Sequence, residues 1–113
     1  MKYLAKKAHY AGIFVLAGVI FFMVSNSETA ISTDSVLIDI RTPEEFALGA
    51  LDGAINIDYY DPTFIRQLDA LDRSLSYTIY CRSGSRSSDA LGIMRSMGFT
   101  VEHIPGGIIS LSN

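Results

Sequence analysis

The sequence predicts a small α/β domain built on a parallel sheet of four to five strands, with helices on both faces. Three observations support this prediction. Short, almost continuously apolar runs such as residues 36–40 are typical of strands that are buried on both faces. These runs alternate with stretches of helical spacing, which is the order of β-α-β units in a parallel sheet. The 113 residues leave room for only one small domain.

The first half of the domain contains two predicted strands, at residues 36–40 and 54–57, and two predicted helices. Thr42 can cap the first helix, Pro43 suits its first position, and Glu45 completes a capping box. Asp61 and Pro62 are likewise predicted to be the cap and first residue of the second helix. That helix should present four apolar side chains on one face, namely Phe64, Ile65, Leu68 and Leu71.

The second half follows the same alternation. Residues 77–80 are rich in β-branched and aromatic side chains and predict a third strand. Residues 87–97 carry apolar side chains at helical spacing, and Gly98 is the expected stop. Residues 100–104 predict a fourth strand, residues 105–107 a turn, and residues 108–111 the start of a last helix.

The N-terminus is predicted to be a targeting segment. Residues 1–9 are basic, residues 11–24 are 14 uncharged and mostly apolar residues, and residues 25–27 are small. This order is that of a secretory signal peptide. A membrane-spanning helix needs about 20 apolar residues, so the length favours a cleaved signal peptide over residues 1–27, with an uncleaved membrane anchor as the alternative. Residues 28–113 should then form an exported, periplasmic domain, with membrane contact only if the segment is retained.

The charge of residues 28–113 restricts the possible partners. This part of the chain has no lysine, and six arginines against 12 acidic residues give it a net charge of −6. Nucleic-acid binding needs many cations that neutralise phosphates, so no nucleic-acid partner is expected. No group of potential ligands has the spacing of a metal site, so we expect neither a metal nor a cofactor. We expect the domain to be a monomer.

Cys81 is the only cysteine, and it stands between the third predicted strand and the following helix. Ligands of open α/β sheets bind beyond the carboxyl ends of strands, and a helix N-terminus beside arginine favours thiolate over thiol. The alternative is a buried cysteine in an ordinary strand-to-helix turn. The loop residues expected to take part are the cations Arg82 and Arg86, the turn residue Gly84, and the hydroxyl donors Ser83 and Ser85.

Four stretches of the sequence resemble the rhodanese (thiosulfate sulfurtransferase) domain family. Residues 81–87, CRSGSRS, resemble the active-site loop of that family. Residues 37–46 resemble its first-strand signature, residues 49–57 its G-H-I-x-G-A-x-N-I segment, and residues 98–108 its closing strand and Gly-Gly turn. The resemblance covers residues 36–109 and is greatest to the small, exported, single-domain members, which implies a rhodanese-like sheet.

The resemblance also implies a mechanism. Cys81 as a thiolate attacks the outer sulfur of thiosulfate or a similar small anionic donor, sulfite leaves, and a persulfide remains on Cys81. Cyanide or a thiol then accepts the sulfur. The amides of residues 82–86 would stabilise the persulfide, and Arg82 and Arg86 would attract the donor. Asp39 and Arg41, which resemble a conserved pair of the family, would support the loop and the fold.

Several positions depart from the family pattern. Ala50 stands where a histidine is usual, and Ser110 and Leu111 occupy the region of the usual tryptophan. His103 is the only histidine after residue 27. We expect it at the surface or on an edge strand, because nothing in the sequence places it beside the cysteine.

Two other functions remain open at this point. Small phosphatases and arsenate reductases of a related fold resemble the pattern Cys-x5-Arg, in a loop one residue longer. Arg86 is five positions after Cys81, which favours the shorter loop of a sulfurtransferase. A carrier or binding module that hands persulfide sulfur to a partner would keep the same cysteine without turnover.

Overall fold

The structure is a computed structural model that describes residues 34–111. The strands are β1 (Val36–Asp39), β2 (Ile55–Asn56), β3 (Ser76–Tyr80) and β4 (Thr100–His103). The helices are α1 (Pro43–Ala47), α2 (Phe64–Asp69) and α3 (Ser85–Ser96), followed by a 3₁₀ helix at Ile108–Leu111. None of the helices within residues 34–111 is long and apolar enough to cross a membrane. The predicted signal peptide lies outside the described residues.

The four strands form one parallel sheet in the order β2-β1-β3-β4. Asp39 of β1 lies beside Asn56 on one side and Tyr80 on the other, and β4 pairs with the outer edge of β3. The predicted α/β class and parallel sheet are confirmed, with four strands. The chain forms β2 on one side of β1 and then β3 on the other, so the strand order reverses between β1 and β3. In open α/β sheets, ligands bind at the carboxyl ends of strands beside such a reversal.

β3 is one of the two interior strands of the sheet and is buried on both faces. Its residues Tyr77, Thr78, Ile79 and Tyr80 are all buried, although successive side chains of a strand point to opposite faces. Both faces of β3 are therefore covered. Ile38 and Ile79 are fully buried in the core, and burial of such a side chain contributes about 1.5–3 kcal/mol.

The start of α1 agrees with the prediction. Thr42 is the N-cap, and its hydroxyl oxygen accepts a hydrogen bond from the Glu45 amide at 3.2 Å. The Glu45 carboxylate accepts in return from the Thr42 amide at 3.0 Å. Pro43 is the first helical residue. These two bonds satisfy amide donors that the first turn of a helix otherwise leaves without partners.

The start of α2 differs from the prediction. Asp61 is not the cap, because its carboxylate accepts from the amide of Thr63 at 2.7 Å and closes a turn before the helix. The helix therefore begins at Phe64. Ile65 is 50% exposed and does not belong to the buried face, which in this short helix is the pair Phe64 and Leu68, four residues apart.

Candidate active site

Cys81 follows β3 directly, and the loop after it leads into α3. Gly84 is the N-cap of α3 and has a φ of 107°, which is in the left-handed region that favours glycine. A Cβ atom at Gly84 would lie 1.8 Å from the carbonyl oxygen of Pro105. The loop can therefore pass this close to the turn after β4 only because residue 84 has no side chain.

The turn after β4 also holds the backbone at the start of the loop. The amide of Ile108 donates to the carbonyl oxygen of Cys81 at 2.9 Å, and the amide of Ile109 donates to that of Arg82 at 3.2 Å. Gly107 has a φ of 70°, and a Cβ atom there would lie 2.1 Å from the Arg82 carbonyl oxygen. The loop is thus fixed by contacts with a distant part of the chain as well as by α3.

The sulfur of Cys81 lies among hydrogen-bonding groups, two of which are backbone amides that donate to it. The amide of Gly84 is 3.1 Å from it, the amide of Ser87 is 3.4 Å away, and the Ser87 hydroxyl oxygen is 3.7 Å away. Burial by itself raises the pKa of Cys81, but the hydrogen bonds from Ser87, Gly84 and the Arg86 amide lower it and outweigh burial. The pKa of Cys81 is consequently lower than that of an ordinary thiol, so the loop favours the thiolate.

The two arginines of the loop have different surroundings. Arg86 donates from both terminal nitrogens to the carboxylate of Glu45, at 2.9 and 3.1 Å, and its guanidinium lies 5.5 Å from the centre of the Tyr60 ring. The hydrogen bond from Arg86 is the main reason that the pKa of Glu45 falls to about 2. Arg82 is exposed, and its side chain makes no hydrogen bond or ion pair with residues 34–111. Arg86 therefore ties the loop to α1, while the charge of Arg82 stays available.

The predicted hydroxyl donors are not the ones that reach the sulfur. Ser83 and Ser85 are exposed, and within the described part of the chain their hydroxyls make no hydrogen bonds. Ser87, which is fully buried, supplies the hydroxyl instead. The sequence prediction missed Ser87 because it started this helix at residue 87, whereas α3 starts at Ser85 and its first turn carries its residues back over the loop.

Asp39 and Arg41 form a buried ion pair at the carboxyl end of β1. Arg41 donates to the Asp39 carboxylate at 2.7 Å and to the carbonyl oxygen of Gly49 at 2.7 Å. The hydroxyl of Tyr80 donates to Asp39 at 2.7 Å and accepts from the amide of Leu51 at 3.0 Å. Burial is the main reason that the pKa of Tyr80 rises to about 12. This cluster connects β1, β3 and the segment after α1, which supports the predicted role in the fold.

His103 lies on the edge strand β4, as expected, and is half-buried. Its Nδ1 atom is 2.8 Å from the hydroxyl oxygen of Ser87. No local sequence pattern indicates this contact, because the two residues lie on different elements. Within residues 34–111 no group of three His, Cys, Asp or Glu side chains could hold a metal ion.

The fold and the loop together define a class: α/β domains that present a cysteine, surrounded by backbone amides, at the carboxyl edge of a parallel sheet. Comparison with known proteins identifies the family within this class. The profile of the Rhodanese-like domain matches residues 26–112. The chain therefore belongs to the rhodanese-like domain family, which confirms the resemblance inferred from its motifs.

Individual relatives agree with this assignment. The chain is 33% identical over 78 residues to a sulfurtransferase of Allochromatium vinosum, which covers 68% of this chain and 71% of that protein. It is 37% identical over 81 residues to thiosulfate sulfurtransferase 16, chloroplastic, of Arabidopsis thaliana, which covers 62% of this chain and 68% of that protein. The fold matches the crystal structure of a rhodanese-related protein from Thermoplasma volcanium with a TM-score of 0.63 at 23% identity, over 83% of this chain and 84% of that one. Family and relatives together support sulfur transfer as the general chemistry.

Proposed function

We propose that this protein is a thiosulfate sulfurtransferase, which moves sulfane sulfur from thiosulfate or a similar small donor to cyanide or a thiol through a persulfide on Cys81. The proposal depends on one observation, the environment of the Cys81 sulfur. The amides of Gly84 and Ser87 point at this sulfur from 3.1 and 3.4 Å. Fixed donors of this kind stabilise negative charge in a site shielded from water.

The proposed reaction has two steps. In the first, the Cys81 thiolate attacks the outer sulfur of thiosulfate, the S–S bond of the donor breaks, and its electron pair leaves with sulfite. The persulfide on Cys81 keeps one negative charge. In the second step cyanide, or a thiolate, attacks the terminal sulfur of the persulfide, forms thiocyanate or a new persulfide, and regenerates the Cys81 thiolate. Neither step requires a cofactor or an external oxidant.

The surroundings of the loop support a small anionic donor. Cys81 is only 1% exposed, so a donor must be small enough to reach a recessed sulfur atom. Arg82 is exposed beside it and has no carboxylate partner among the described residues. An uncompensated cation at the entrance of a site attracts a dianion such as thiosulfate.

The same surroundings argue against a phosphatase. In a phosphatase loop, the arginine at its end would have to bind the phosphate oxygens through its guanidinium. Here the two terminal nitrogens of Arg86 already bind the carboxylate of Glu45. A guanidinium whose two terminal nitrogens are bound to a carboxylate is not free to bind a second anion through both of them.

Replacement of the nucleophile tests the proposal. Cys81→Ser should abolish the formation of thiocyanate from thiosulfate and cyanide, while its circular dichroism spectrum stays that of the wild type. Wild-type protein incubated with thiosulfate alone should gain the mass of one sulfur atom, and the variant should not. Retention of more than a few per cent of the activity by Cys81→Ser would refute the mechanism. A stable persulfide that no acceptor removes would indicate a carrier, and hydrolysis of p-nitrophenyl phosphate would indicate a phosphatase.

We further propose that the domain acts after export, in the periplasm, either free or held by an uncleaved N-terminal anchor. The proposal depends on the basic, apolar and small order of residues 1–27. The intact mass of protein purified from the exported fraction tests it, because cleavage after residue 27 leaves a chain that begins at Glu28. A full-length mass in the cytoplasmic fraction would refute it.

A further inference from the structure

Ser87 joins two groups that the proposed mechanism treats separately. Its hydroxyl oxygen is 3.7 Å from the Cys81 sulfur and 2.8 Å from Nδ1 of His103. It also lies 3.2 Å from the carbonyl oxygen of Gly84. Ser87 is fully buried, so water does not replace these partners.

A serine hydroxyl has one proton to donate, and this limits what Ser87 can do. When Cys81 is a thiol, its S–H can donate to the Ser87 oxygen, and the Ser87 proton can go to His103 or to Gly84. When Cys81 is a thiolate, the sulfur can only accept, so the Ser87 proton stabilises it only if it points at the sulfur. The Ser87 oxygen then keeps its bond to His103 only if His103 carries a proton on Nδ1.

We propose that His103 is a positioning residue, which acts on the Cys81 sulfur through the Ser87 hydroxyl by determining whether that hydroxyl donates to the sulfur. His103 with a proton on Nδ1 donates to Ser87, which leaves the Ser87 proton to the thiolate or to the Gly84 carbonyl oxygen. The charged sulfur is the stronger acceptor of the two, so the Ser87 proton is directed toward the thiolate. Neutral His103 with its proton on Nε2 accepts from Ser87 and draws that proton away. Protonation of His103 always places a proton on Nδ1, so it favours the thiolate.

The groups around His103 leave the Ser87 hydroxyl as the hydrogen-bonded link between His103 and Cys81 in the described part of the chain. The charged and titratable side chains on the elements that pack against β4 are Arg86, Asp89 and Arg95 of α3 and Tyr77 and Tyr80 of β3, with Cys81 and Arg82 directly after β3. Those on α3 and β3 are all engaged elsewhere, with Glu45, Tyr59, Glu102, Asp72 and Asp39 respectively. The one hydrogen bond that the His103 ring makes within residues 34–111 is the bond to Ser87.

The test measures the thiolate directly and does not depend on turnover. Cys81 is the only thiol, so the rate of alkylation by iodoacetamide against pH reports its titration alone. His103→Leu removes the donor and should raise the apparent pKa of Cys81 by about 0.5–1 unit, which is the effect of one hydrogen bond. His103→Asn places an amide nitrogen near the position of Nδ1 and should bring the apparent pKa of Cys81 back toward the wild-type value.

A second background separates the hydroxyl route from a direct effect of charge. In Ser87→Ala protein, His103→Leu should no longer shift the alkylation profile, because the connecting hydroxyl is absent. An equal shift in both backgrounds, or no shift in the wild-type background, would overturn the proposal. This inference deepens the proposed function, but the two can fail separately. If Cys81 is not the nucleophile, the thiocyanate assay shows it. If His103 does not act on Cys81, only the alkylation rate against pH shows it.

Nuclear magnetic resonance provides a measurement that does not require a stable His103→Leu protein. Loss of the thiolate in Cys81→Ser should change the chemical shifts of the two His103 ring nitrogens at neutral pH, because the Ser87 proton is no longer directed at a charged sulfur. The His103→Asn spectrum identifies which ring signal belongs to His103 rather than His9. Ring-nitrogen chemical shifts of His103 that are the same in wild-type and Cys81→Ser protein would overturn the proposal.

Discussion

Glu45→Gln removes the charge that holds Arg86 and keeps a side chain of nearly the same shape. The pKa of Glu45 falls from 4.5 to about 2, first because of the hydrogen bond from Arg86. A difference of about 2.5 units corresponds to at most about 3.4 kcal/mol of stability. Glu45 and Arg86 have side chains that are 29% and 15% exposed, so solvent screening reduces the expected loss at neutral pH to about 1–2 kcal/mol.

The pH dependence has a definite sign. The folded pKa of Glu45 is lower than the unfolded one, so the stabilisation is complete above about pH 4.5 and is lost as the pH falls toward about 2. Unfolding in urea measures it, with Glu44→Gln as the matched control. Glu44 is the preceding residue of α1, is exposed, and makes no hydrogen bond or ion pair within the described residues. The difference between the two variants should be largest near pH 7 and should shrink by more than half near pH 3.

Glu45→Gln should destabilise the fold but should make the active site more favourable to anions. Arg86 interacts electrostatically with Cys81, and without Glu45 its positive charge is no longer offset. Glu45→Gln should therefore lower the pKa of Cys81 and the KM for thiosulfate while it destabilises the fold. Two results would refute this reasoning: Glu45→Gln no less stable than Glu44→Gln at pH 7, or a difference between them that persists unchanged at low pH.

Three further substitutions test the loop, its charge and its support. Gly84→Ala should lower the rate of sulfur transfer about tenfold or more, because its Cβ meets a carbonyl oxygen at 1.8 Å. Gly92→Ala is the control: it has open space around it in α3, so it should keep activity and gain about 0.5–1 kcal/mol of stability. Equal activities of the two variants would contradict this. Arg82→Ala should raise the KM for thiosulfate with little change in kcat, and the effect should fade as salt increases. The same change after replacement of the exposed Arg66 of α2 by alanine would show that general charge is responsible. Asp39→Asn should cost about 3–5 kcal/mol in urea unfolding, because it leaves a buried arginine without its partner; a loss near zero would exclude that role.

The sequence alone determined the order and type of the elements. Strand runs such as residues 36–40 and the capping box at Thr42 are local signals, because they depend on periodicity and on hydrogen bonds within a few residues. Asp61 can cap a helix or close a turn, and here it closes a turn before α2. The predicted helix start was therefore wrong by two residues. The Cys81 loop was also recognisable, because its residues are contiguous in the chain.

Only the tertiary structure decided how that loop is held and what its charged and polar residues do. Glu45 and Arg86 are 41 positions apart, and Ser87 and His103 are 16 positions apart. Gly84 meets the Pro105 carbonyl because the turn after β4 packs beside the carboxyl end of β3. These contacts arise where parallel strands bring distant segments to the same edge of the sheet, and no periodicity or local motif encodes them. For this reason the sequence identified the cysteine and both arginines of the loop. Only the folded chain showed that Arg86 is bound to Glu45 while the charge of Arg82 stays available.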